Sequence, residues 1–114
     1  ILYFRYSAEI QIINLNIFQV KILALEKEIE GKTTSDFQPY LESEAKMVWE
    51  LQQKGIIREI YFRDDQKSAV LILEASNTES AKKILDKLPL VKNNLIFFEV
   101  IPLRAYPGFQ RLFK

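Results

Sequence analysis

The chain has no cysteine and no histidine, and only three glycines, four prolines, one methionine and one tryptophan in 114 residues. Without cysteine there is no disulfide and no thiolate metal site. Without histidine there is no imidazole-ligated metal and no histidine acid–base catalyst. No Asp/Glu loop has calcium-site spacing, so no metal and no cofactor is expected. Three glycines form no nucleotide-binding motif, and no aromatic–basic RNA-binding signature is present. An excess of charge is also missing: 16 basic side chains face 15 acidic ones, for a net charge of +1. That balance gives no general attraction to nucleic acid or to an anionic membrane. The apolar opening Ile1–Tyr6 is interrupted by Arg5, Glu9 and Lys21, well short of the ~20 apolar residues of a spanning helix. The lack of cysteine fits a cytoplasmic protein. Proton transfer, if the chain is an enzyme, falls to Glu, Asp, Lys or Tyr.

What is present is ordinary globular material, 48% hydrophobic and 27% charged, enough for one compact core and too short for two. The only methionine is Met47, so residue 1 does not read as a translation start. Residues 1–15 are expected to be an N-terminal extension outside the core. Residues 16–114 are expected to form a single domain ending in a tail.

Four strands and two helices can be read in order. Residues 16–25 alternate as a strand, with Phe18, Val20, Ile22 and Ala24 on one face. A polar loop follows from Gly31 to Ser35. Asp36 to Pro39 opens a helix that Gly55 closes. Residues 57–63 form a second strand, Asp64-Asp65-Gln66-Lys67 a hairpin turn, and residues 69–74 a third strand. Ser76 and Glu79 suggest a capping box for a second helix that buries Ala81, Ile84, Leu85 and Leu88, with Pro89 ending it. Residues 95–101 are the last strand, and Pro102 begins the tail.

The order βαββαβ is the split, ferredoxin-like α+β arrangement: a four-stranded antiparallel sheet with both helices on one face. Strand parity places Ile22, Arg58, Ile60, Phe62, Ile96, Phe98 and Val100 on the helix-covered side. It leaves Leu23, Ile57, Tyr61, Val70, Ile72, Leu95, Phe97 and Ile101 on the open side, a patch large enough to call for a partner. A homodimer or higher homo-oligomer, packed sheet against sheet, is the simplest cover.

One residue breaks the pattern. In the helix over 37–55, Phe37, Leu41, Val48 and Leu51 form an apolar stripe, and Glu44 falls at its centre. A carboxylate aimed at an apolar layer must be paired, hydrogen-bonded or shifted toward its neutral form. Glu44 is therefore the candidate general base or acid. Arg58, on the same side by parity, is the candidate partner that binds an anionic group of a small-molecule ligand. A structural, inert Glu44–Arg58 ion pair is the other reading of the same pattern, and the commoner one for such a pair. Tyr61 and Arg63 on the open face are further candidates for ligand binding, or else for pairing that sets the register of an interface. Trp49 sits at the edge of the stripe and reads as packing.

These residues resemble the muconolactone isomerase family of the dimeric α/β-barrel superfamily. The family's helix Glu, Leu-Gln pair and helix-ending Gly correspond to Glu44, Leu51, Gln52 and Gly55, and an Arg three residues later to Arg58. Its Leu-Pro-Leu plus apolar residue corresponds to Leu88, Pro89, Leu90 and Val91, and its Glu-Val and tail to Glu99, Val100, Leu103 and Pro107. Glu59 and Tyr106 stand where the family has His, its second-strand Arg falls one residue before Arg63, and residues 92–94 lengthen a connection. The resemblance implies a dimeric α/β barrel with a pocket between helices and sheet. It also implies a cofactor-free isomerase that shifts a C=C bond of a small anionic or enolisable molecule. A non-catalytic ligand-binding or stress-related module and a cofactor-free monooxygenase are the other readings left open by the sequence.

Overall fold

The structure, a computed structural model, describes residues 19–113. The expected extension over 1–15, and the start of the first strand with Phe18, lie outside that range. Ten segments follow in order: β1 (Val20–Glu28), α1 (Thr34–Phe37), a 3-10 turn (Gln38–Tyr40), α2 (Leu41–Gln53), β2 (Ile57–Phe62), β3 (Ala69–Ala75), α3 (Thr78–Leu85), α4 (Pro89–Lys92), β4 (Ile96–Leu103) and a 3-10 turn (Gly108–Leu112). The sheet is antiparallel in the order β2-β3-β1-β4, the ferredoxin-like topology expected from the element order.

Local chemistry explains the boundaries. Helix formation begins at Thr34, earlier than expected, because the Asp36 carboxylate accepts from the backbone nitrogen and the hydroxyl of Thr33, at 2.8 and 3.2 Å. Pro39 falls in the 3-10 turn that joins α1 to α2. At the far end of α2, Gly55 adopts φ +80° and donates to Gln52, while Ile56 donates to Leu51. This paired closure needs the left-handed backbone that glycine supplies. The cap of α3 is Asn77, whose side chain accepts from Ser80 N at 2.8 Å, and not Ser76. Pro89 does not end α3, which stops at Leu85. It instead opens α4, where its missing N–H costs nothing.

Ile22 and Ala24 of β1 and Leu71 and Leu73 of β3 pack under Ala81, Leu85 and Leu88, all fully or almost fully buried. Helix α2 sits less closely. Its Met47, Val48 and Leu51 are only partly buried against this core, and none of its residues is fully buried.

Two parity expectations and one strand end fail, each for a physical reason. A β-bulge lies between Ile57 and Glu59: Ile57 pairs with Leu73 and Glu59 with Ile72. The extra residue flips the alternation. Ile57 therefore enters the core, 1% exposed, and Arg58 leaves the helix side. Leu95 precedes β4 and is buried beside Leu90 and Ile96, not on the open face. Pro102 does not release the tail. It remains in β4 opposite Ile22, tolerated because β4 is an edge strand.

Candidate functional site

The loose seat of α2 leaves a cleft between that helix and the sheet. It has a volume of about 410 Å³. Leu41, Glu44, Ala45, Val48, Trp49 and Gln52 line it from α2, Ile60, Leu71 and Phe98 from the sheet, and Leu90 from α4. Glu26 and Ala69 complete the wall. Except for Glu26, Glu44 and Gln52, the lining is apolar or aromatic.

Glu44 is where the helical stripe put it, between Leu41 and Val48 and facing the sheet. Its Oε1 accepts a hydrogen bond from Leu90 N at 2.9 Å. This donor is available for a structural reason: Leu90 is in the first turn of α4, where backbone N–H groups have no partner within the helix. Partial burial pushes the Glu44 carboxyl above its ordinary value, the Leu90 bond pulls it back in part, and the nearby charge of Glu26 adds to the rise. The balance leaves a carboxylate that holds its proton more tightly than one in water, a feature of groups that move protons near neutral pH.

Glu26 was not singled out from the sequence. Its Oε1 accepts from Ala69 N at 2.9 Å, just where the β1–β3 ladder ends at Leu25 and Val70. Burial raises this carboxyl too, countered by the Ala69 bond. A signal was present: Val20, Ile22 and Ala24 face the helices, and the same parity carried two residues further reaches Glu26. Ending the strand at residue 25 hid it.

The other expected site residues lie elsewhere. Arg58 pairs with Glu74 at 3.8 Å, both partly exposed, and lines a polar cleft with Gln19, Lys54, Gly55 and Ile56. The expected Glu44–Arg58 meeting does not occur, because the bulge turns Arg58 away. Tyr61 donates its hydroxyl to Glu59 Oε1 at 2.7 Å on the open face. Arg63 grips Asp65 of its own hairpin through two hydrogen bonds of 2.9 and 2.6 Å. Trp49 is 60% exposed and borders the cleft, so it is less a packing residue than a rim. Among the described residues no group of three or more His, Cys, Asp or Glu could hold a metal ion, and no helix is long and apolar enough to cross a membrane.

A family model described as muconolactone delta-isomerase matches residues 18–108. The fold is similar to a solved structure of muconolactone isomerase, with a TM-score of 0.61 and 15% sequence identity, covering 77% of this chain and 92% of that one. A search of curated proteins finds no match. At 15% identity the structural likeness speaks for the fold alone, whereas the family model spans most of the chain and takes in every residue that lines the cleft. On that match, this chain belongs to the muconolactone delta-isomerase family.

Proposed function

We propose that the chain is a cofactor-free isomerase that moves a C=C bond of a small enolisable molecule by proton transfer through Glu44. The observation that carries this reading is a half-buried carboxylate held by the Leu90 amide inside a largely apolar cleft. In a β,γ-unsaturated lactone the proton on the carbon between the carbonyl and the double bond passes to the Glu44 carboxylate, the electron pair delocalises into a dienolate, and Glu44 returns the proton to the far, γ carbon, leaving the double bond conjugated with the carbonyl. The ring gains and loses no atoms, and no oxidant or metal enters. Gln52 is an uncharged donor in the lining, chemically suited to the carbonyl oxygen where negative charge develops. The anionic substrate class suggested by Arg58 loses its support, since Arg58 lies outside the cleft.

The test is the isomerisation of an unsaturated five-membered lactone, followed by ultraviolet absorbance, with the wild type and Glu44→Gln. General acid–base catalysis contributes about 10²–10⁴-fold, so the variant should lose at least about 100-fold in kcat/KM. Full activity in the variant refutes the role of Glu44.

We further infer a homodimer, placed in the cytoplasm, that closes over the open sheet face and the tail. Tyr61, Phe97 and Leu103 are exposed on that face, and Tyr106, Phe109, Leu112 and Phe113 protrude from the tail. Tyr106 and Phe109 already stack edge to face, with ring centroids 5.0 Å apart. Covering two or three such side chains stabilises an assembly by several kcal/mol at ~25 cal/mol per Å², before ordering costs are subtracted.

A further inference from the structure

Two carboxyl groups line the cleft beneath α2 from opposite walls, Glu44 from the helix and Glu26 from β1. Each commits one oxygen to a backbone amide, Glu44 to Leu90 and Glu26 to Ala69, both at 2.9 Å. The second oxygen of each is left for a ligand. Glu44 carries the migrating proton in the isomerase reading, which gives Glu26 no task. Burial lifts both carboxyls above their ordinary values. The two amide bonds pull each back in part, while the charge of Glu26 adds to the rise at Glu44 and that of Glu28 to the rise at Glu26. Two like charges in one cleft oppose joint ionisation, so with Glu44 present as the ionised base a proton is favoured on Glu26. The other charged neighbours of Glu26 are Lys27 and Glu28 on its own strand, Lys32 before α1 and Lys67 in the β2–β3 hairpin. Lys27 is paired with Glu99. Lys32 and Lys67 are exposed, and water weakens their pull toward the ionised form.

From this geometry we infer that Glu26 is a second catalytic residue, a neutral acid that gives its proton to the carbonyl oxygen of the ligand while Glu44 takes one from carbon. The inference rests on the isomerase reading and deepens it. A protonated Glu26 can keep its carbonyl oxygen on the Ala69 amide and offer its hydroxyl to the ligand. In the first step the C–H bond beside the carbonyl breaks toward the Glu44 carboxylate. Its electron pair becomes a ring C=C bond, and the carbonyl oxygen takes the Glu26 proton. The dienolate is thereby neutralised to a dienol as it forms. In the second step the O–H bond breaks, Glu26 recovers its proton, the carbonyl re-forms, and Glu44 delivers its proton to the γ carbon. Both carboxyls end as they began, and no co-reactant is consumed. The apolar lining gives this donor its weight, because an enolate oxygen left bare there would be a desolvated charge. Gln52 can share that oxygen, but it supplies a hydrogen bond and no proton. A carboxylic acid kept neutral by its site is chemically suited to the task.

Two measurements on the intact protein test this. Tetronic acid, an enol of a five-membered lactone that is anionic at neutral pH, stands in for the dienolate. Its binding is followed in mildly alkaline buffer through the Glu26 carboxyl carbon resonance of protein labelled with carbon-13 glutamate. That resonance should move to the position of a protonated acid, a result that needs no variant. The second measurement is the pH profile of kcat/KM for an unsaturated lactone. It should be bell-shaped, falling in acid as Glu44 gains a proton and in alkali as Glu26 loses one. Glu26→Gln keeps an acceptor for the Ala69 amide but has no acid proton. It should lose about 100-fold in kcat with KM little changed, and the alkaline limb should disappear. An ionised Glu26 in the tetronate complex overturns the inference. So does failure of tetronate to bind at millimolar concentration, or a Glu26→Gln variant with full kcat and the alkaline limb intact. Activity lost in Glu44→Gln and fully kept in Glu26→Gln removes Glu26 from the mechanism and leaves the isomerase reading standing. Protonation of Glu26 by tetronate, with no lactone turned over by the wild type, refutes the isomerase reading and upholds Glu26 as the acid that meets an enolate.

Discussion

Replacing Glu44 with Gln separates a lone carboxylate in a cleft from one locked into an ion pair. The amide keeps the volume and a carbonyl oxygen able to accept the Leu90 hydrogen, so no buried donor is orphaned. Two changes remain, and they oppose each other. The bond to Leu90 passes from charge-assisted to neutral, a loss of about 1 kcal/mol. The desolvation of a half-buried carboxylate and its repulsion from Glu26 disappear, which is a gain. The net change at neutral pH should be within about 1 kcal/mol, against about 3–5 kcal/mol for removing one partner of a buried ion pair. The sign of the pH dependence follows from linkage. Folding raises the Glu44 pKa above its ordinary 4.5. The contribution of this carboxyl to stability is therefore fully present below the unfolded value and is lost as pH rises through the folded one. Gln does not titrate, so relative to wild type the variant should gain stability as pH climbs from about 4 through the folded pKa, then level off. Glu26 titrates in both proteins and cancels to first order. Urea denaturation at a series of pH values measures both effects. A loss of about 3 kcal/mol or more at neutral pH, or relative stability that falls as pH rises, refutes the reasoning.

Three further outcomes are expected. Arg58→Ala should cost under about 1 kcal/mol, since its partly exposed contact with Glu74 is of the surface kind, and it should leave lactone turnover unchanged; a collapse of activity would return Arg58 to the site. Gly55→Ala should cost about 1–2 kcal/mol in thermal or chemical denaturation, because φ +80° places a Cβ in the left-handed region; an unchanged midpoint would contradict the closure described for α2. Deleting residues 105–114 should weaken self-association and lower the thermal midpoint most at low concentration; sedimentation of the intact chain as a monomer at micromolar concentration would refute the dimer itself.

The sequence alone carried the architecture and one carboxylate of the candidate site. Element order, the alternation of Ile22 and Ala24, and the closing Gly55 specify a ferredoxin-like α+β chain because those signals are local: period, cap and turn act within a few residues. Glu44 was legible for the same reason, as a charged interruption of a helical apolar stripe. Its partner was not. Strand parity predicted Arg58, yet a single bulge residue between Ile57 and Glu59 reversed the face, and no local pattern marks a bulge before the neighbouring strand is in place. The hydrogen bond from Leu90 to Glu44 joins residues 46 apart, and that from Ala69 to Glu26 joins residues 43 apart. Each exists only because packing brings the unpaired amide at one element's start beside a side chain of another. The cleft itself arises from the standoff of α2 over the sheet, a property of how layers fit together rather than of any one segment. Local periodicity thus settled which elements form and which faces are apolar, while the charge, partners and shape of the cleft emerged only when distant backbone donors and side chains met in three dimensions.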